Sequence, residues 1–164
     1  MQRKLAEHGT MQTVWTITKY RDDADYRSGR PYEVNWIKHN CLLNEGITEA
    51  LKLIAGLTAD AYSNANAYIG VGDSSTAAAA AQTGLQAETN KLYKGMETSY
   101  PDVTDQTITF RSVFGSSDAN YDWNEFTVIN AATDAGDNLN RKVSDQGTKA
   151  SGQTWTVDVA ITLS

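Results

Sequence analysis

Thr154-Trp155-Thr156-Val157-Asp158-Val159-Ala160-Ile161-Thr162-Leu163 carries an apolar side chain at every second position, five times in succession. Successive side chains of a strand point to opposite faces, so this stretch predicts a β-strand with one buried face. The same alternation places Ile108, Phe110, Ser112 and Phe114 on one face of a second strand, with Thr107, Thr109 and Arg111 facing out. Trp15 and Ile17 alternate with Val14, Thr16 and Thr18, and Tyr32, Val34 and Trp36 alternate with Glu33 and Asn35. Ala67–Val71 reads as a short, mostly apolar strand, and further strands are expected within Leu92–Thr98 and Trp123–Ile129.

A single segment has helical spacing. Ile47, Ala50, Leu51, Ile54 and Leu57 recur every three or four residues, which predicts a short α-helix over about 45–56. Asn44 is the expected cap, Glu45 suits the first turn, and Gly56 suits the end. One helix among about seven strands means a mainly β fold, an antiparallel β-sandwich or barrel-like body. Polar loops are expected at Asp73–Gln86, which contains Ala77–Ala81, at Ala131–Asn138 and at Ser144–Gly152. Residues 1–12 have no periodicity, so the N-terminus reads as an extended arm. The expected organisation is residues 1–39 as arm and first strands, and residues 40–164 as the β-rich body.

Composition limits what such a body can do. Leu, Ile, Val and Phe supply only 30 of 164 residues, while Ala, Thr, Gly, Ser and Asn supply 73. With 15 aromatic residues and a net charge of −6, the chain is folded rather than disordered, but its core is thin. Such a domain gains stability from partners. Overall acidity argues against nucleic acid, because neutralising phosphates needs a basic surface. The acidity is uneven: residues 1–39 balance at +2 and residues 40–164 at −8. No uncharged apolar run approaches the ~20 residues that span a bilayer, so no membrane partner is expected.

Candidate chemistry is sparse. Gly70-Val71-Gly72-Asp73-Ser74-Ser75-Thr76 follows a strand but lacks the lysine and the helix of a phosphate loop, so it reads as a turn. Asp118, Asn120, Asp122 and Asn124 alternate as calcium ligands do, yet Trp123 stands where the glycine is needed and Ile129 where the bidentate acid is needed. On a strand His39 and Cys41, two residues apart, would project from the same face, but no acid lies nearby in sequence to orient the imidazole. Cys41 is the only cysteine, so no intrachain disulfide is possible. No catalytic residue, metal or cofactor is expected. The four tryptophans fall on expected strands, Trp36 and Trp155 in the apolar phase that favours the core, although strand-borne aromatics also serve as glycan platforms.

The order of features carries a further signal. Asn44-Glu45-Gly46 opens the helix; the Ala67–Asp73 strand and turn follow, then a Ser/Thr/Ala loop leading to Leu85. Next come the Thr107–Phe114 strand, Trp123-Asn124-Glu125-Phe126, Leu139-Asn140-Arg141 and the closing Gly152–Val157 segment. Over about residues 40–164 this series resembles small structural proteins of tailed-bacteriophage virions, either capsid decoration proteins or tail and fibre-attachment components. The resemblance implies a non-enzymatic, β-rich module repeated on a particle as a homotrimer or similar oligomer. Its partners would be copies of itself and the major capsid protein or another virion protein, with assembly in the host bacterial cytoplasm. Residues 1–39 lie outside it. For those residues the expectation is an arm that adds a strand to a neighbouring subunit, with Val14, Trp15 and Ile17 as contacts. A tail location and a glycan-binding receptor module are the alternatives.

Overall fold

A computed structural model of the chain describes residues 9–164. Its elements are β1 (Met11–Tyr20), α1 (Asp23–Arg27), β2 (Glu33–Lys38), β3 (Cys41–Leu42), α2 (Asn44–Ile54), β4 (Tyr68–Gly72) and β5 (Lys91–Gly95). They continue with β6 (Asp102–Thr104), β7 (Thr107–Phe114), β8 (Glu125–Ile129), β9 (Asn138–Val143) and β10 (Thr154–Leu163). Two five-stranded antiparallel sheets, ordered β2-β1-β10-β7-β6 and β3-β9-β8-β4-β5, face each other across one core. The expected mainly β sandwich is what the chain forms.

The apolar alternation of β10, β7 and β1 fills that core from one side. Trp155, Val157 and Val159, Phe110 and Phe114, and Trp15 and Ile17 are all buried there. Phe126 and Val128 of β8 and Ile69 and Val71 of β4 close it from the other. Aromatic rings make up for the scarcity of aliphatic ones. Trp123 lies edge-on to Phe114 at 4.8 Å and to Trp155 at 4.9 Å between centroids, a favoured arrangement that also buries large areas.

The N-terminal expectation needs correction. Residues 1–8 of the supposed arm lie outside the described residues, and from Met11 onward the chain is a central strand. β1 pairs over its whole length with β10, from Met11↔Leu163 to Tyr20↔Thr154, and on its other edge with β2. Both edges are therefore occupied within the chain over Val14–Lys19, and β1 and β2 share a sheet with β10 and β7.

Trp36 also departs from expectation. Register decides its face: Ile37, Asn35 and Glu33 pair with Trp15, Ile17 and Lys19, which point inward, so Trp36 points outward beside Thr16. It is 69% exposed. Lys19 is the unexpected inward residue. Its Nζ lies 2.8 Å from Glu33 Oε2 and 2.7 Å from Gln146 O, and sits over the Trp155 ring at 4.6 Å.

Candidate assembly surfaces

The surfaces of this sandwich are best understood from what the fold consumes internally. β9 reads Asn138-Leu139-Asn140-Arg141-Lys142-Val143, with no apolar alternation, yet Asn138, Asn140 and Arg141 are wholly buried. Arg141 meets Glu125 of β8: Nε donates to Oε2 at 2.7 Å, and Nη2 lies 2.6 Å from the same oxygen. The other Glu125 oxygen accepts from the amide of Ala87 at 2.7 Å, and Gln86 N donates to Oε2 at 2.8 Å. Arg141 Nη1 donates to Gln82 Oε1 at 3.0 Å. One buried ion pair thus ties the 73–87 loop onto the sheet. The polar loop expected at Asp73–Gln86 is thus ordered against its own chain.

Glycines of β4 make room for this arrangement. A Cβ on Gly72 would lie 2.6 Å from Glu125 Oε1, and one on Gly70 would lie 2.7 Å from the Tyr93 ring. These glycines admit neighbouring side chains, which accounts for them without an anion. Three of the four candidate ligands at 118–124 likewise give an oxygen to protein donors. Asp118 Oδ2 takes Lys94 Nζ at 2.6 Å and Gly115 N at 2.9 Å, Asn120 Oδ1 takes Lys149 Nζ at 2.9 Å, and Asp122 takes the Thr148 hydroxyl. Lys149 is fully buried, and burial pushes its ammonium down to about 8. His39 is exposed, while Cys41 is half-buried with Sγ 3.7 Å from Leu42 O. Among the described residues no three His, Cys, Asp or Glu side chains gather as a metal site.

Helix α2 shows the reverse of ordinary amphipathicity. Its inward face is small and polar. Gly46 lies so close to β9 that a Cβ there would be 2.3 Å from Leu139 Cα. Glu45 Oε1 accepts from Asn138 N at 2.7 Å and Asn138 Nδ2 at 3.0 Å. Glu49 Oε1 accepts from Asp60 N at 2.6 Å, and Oε2 takes Lys52 Nζ at 3.0 Å. Lys52 beside it, with the Asp60 amide, holds the Glu49 carboxyl below the usual range. Asn44 is the first helical residue, not the cap; Leu43 takes the cap position with no side-chain bond.

The apolar positions that announce the helix face solvent. Leu51 is 60% exposed, Ile54 83% and Leu57 63%, and Ile47 is exposed beside them. A helix normally turns such a stripe to the core. A smaller apolar patch, with Val103 and Leu163 exposed, lies at one end of the β6-β7-β10 sheet.

The three predicted contact residues are not brought together on any surface. Trp15 and Ile17 are wholly buried in the chain's own core, because the β1 register turns them toward the opposite sheet. They are unavailable to a partner in this fold. Val14 points the other way, is half-buried, and lines a shallow groove with Met11, Lys38 and His39. The surface that sequence reasoning missed is α2 itself. The signal was present: Glu45, Glu49 and Lys52 occupy one side, and no charge interrupts the other. Comparison with family models, curated proteins and solved structures finds no match to this chain.

Proposed function

We propose that this protein is a non-enzymatic structural subunit of a tailed-bacteriophage virion, a capsid decoration or cement protein that works as a homo-oligomer. The observation that supports it best is α2, a helix fixed to the body by its polar face and presenting a charge-free apolar face outward. Exposed apolar patches of this kind mark interaction sites on soluble proteins. The motif order that resembles virion structural proteins supplies the setting, and the internal use of the polar groups leaves the surface, rather than a pocket, as the working part.

The test is quantitative mass spectrometry of purified particles from cells that produce the protein. Hundreds of copies per particle are expected for a shell protein. Six or twelve copies would move it to the tail as a fibre adaptor, and absence from particles would overturn the virion reading. Trp36 favours a second reading, a glycan-binding face, because it stands exposed next to the outward Thr16. Tryptophan emission titrated against a glycan panel decides that reading: a change lost in Trp36→Ala supports it, and flat curves remove it.

A further inference from the structure

We propose that α2 is a self-association seam, along which three or four copies of this chain pack their helices in parallel around a rotation axis. The proposal rests on the reading of the protein as an assembling subunit and names the partner of its exposed helix: other copies of the same chain.

The spacing of the exposed residues specifies the packing. Ile47, Leu51 and Ile54 are separated by four and then three residues, the rhythm of a coiled-coil core. In heptad terms Asn44 and Leu51 occupy a positions and Ile47 and Ile54 occupy d positions, so the seam within α2 has one polar layer at its N-terminal end and three apolar ones after it. The choice of residue matters as much as the spacing. Leucine at a with isoleucine at d disfavours two-stranded packing and shifts the preference to three or four strands. A seam of three residues is short, since isolated helices of this length are marginal in water. Here the helix is already held by Gly46, Glu45 and Glu49 on β9 and the following loop, so association does not have to form it.

Charge points to the same occupant. Each copy carries −6, so copies repel unless they meet on a neutral surface. The exposed residues along 44–58 include Asn44, Thr48 and Ala55 beside the apolar stripe, and none of them is charged. All three charged residues of the helix are engaged on the body side: Glu45 with Asn138, and Glu49 with Lys52 and the Asp60 amide. A basic or acidic partner would find nothing on this face to pair with, whereas an identical uncharged face meets it without repulsion. Leu57 extends the stripe past the helix end. The exposed side chains amount to roughly 400 Å² of apolar surface, the size above which a patch calls for a partner.

Sedimentation equilibrium of the full chain tests the proposal. Wild type is expected at three or four times 17.9 kDa at tens of micromolar. Leu51→Asp is expected at one times that mass, with unchanged far-UV circular dichroism and unchanged emission from the buried Trp15, Trp123 and Trp155. Leu51→Ala, which preserves helix propensity, is expected to raise the dissociation constant at least tenfold. A control, Trp36→Asp, leaves the mass unchanged. A monomeric or dimeric wild type overturns the seam, as does an oligomer that survives Leu51→Asp. The two readings fail separately. An oligomer that depends on Leu51 but is absent from particles sinks the virion function alone, while a monomer found in particles sinks the seam alone.

Discussion

Arg141 Nε donates to Glu125 Oε2 at 2.7 Å, and neither side chain is reached by solvent. Removing one partner of such a pair leaves the other as an uncompensated buried charge. Arg141→Met is therefore expected to lower stability by about 3–5 kcal/mol in urea unfolding. The double variant Glu125→Leu/Arg141→Met recovers part of that loss, because no charge is stranded. It does not recover the loop, since Glu125 also holds the amides of Gln86 and Ala87. Limited proteolysis is expected to cut within 73–87 faster in the double variant than in Arg141→Met. Equal stability of Arg141→Met and wild type would falsify this account of the pair.

Gly46→Ala sets two effects of opposite sign against each other. In an exposed helix alanine is favoured over glycine by about 1 kcal/mol. At this position the new Cβ meets Leu139 Cα at 2.3 Å and Asn138 O at 2.5 Å, and both are backbone. Neither atom can turn aside, so α2 must lift from β9 and strain the Glu45 bonds to Asn138. A net loss of about 1–3 kcal/mol is expected, the range for overpacking. A rise in melting temperature would show that the helix does not sit as described.

Lys149 makes stability depend on pH in an unusual direction. Its Nζ donates to Gly115 O at 2.7 Å and Asn120 Oδ1 at 2.9 Å, and burial pushes it from 10.5 down to about 8, against the pull of Asp118 and Asp23. Between these values the unfolded chain holds a proton that the folded chain has released, so stability rises with pH. Above about 10 the trend reverses. Burial raises the hydroxyls of Tyr62, Tyr93 and Tyr121, which then ionise first in the unfolded chain. Melting temperatures measured from pH 8 to 10 are expected to climb for wild type relative to Lys149→Met. A constant difference across that window would exclude a role for Lys149.

Legibility in the sequence followed the chemistry of each surface. β10, β7 and β1 were readable because each has one apolar and one polar face, and the core enforces that division. β9 was not, since its buried side chains are Asn138, Asn140 and Arg141, whose burial depends on partners distant in sequence. Three-residue β6 and two-residue β3 are too short to show a period. Five-residue α1 is set by a local cap, Asp22 accepting from Asp25 N, rather than by an apolar stripe. Trp36 was assigned to the wrong face because Tyr32, Val34 and Trp36 outweigh Ile37 in the pattern, whereas pairing with β1 determines the side. The helix at α2 was legible as a helix, but spacing alone does not say which face meets the body. Gly46 under Leu139 settles that.

The pairing of Met11–Tyr20 with Thr154–Leu163 joins segments synthesised at opposite ends of the described chain. During translation the first strand emerges with Trp15 and Ile17 bare and must wait for nearly everything that follows. Until β10 leaves the ribosome, β1 and β7 lack the strand that separates them, and their sheet cannot form in its native order. Contacts so far apart along the chain make folding slow and expose strand edges to aggregation while it proceeds. Completion of this sheet is therefore a late event in folding, gated by the arrival of β10 between β1 and β7.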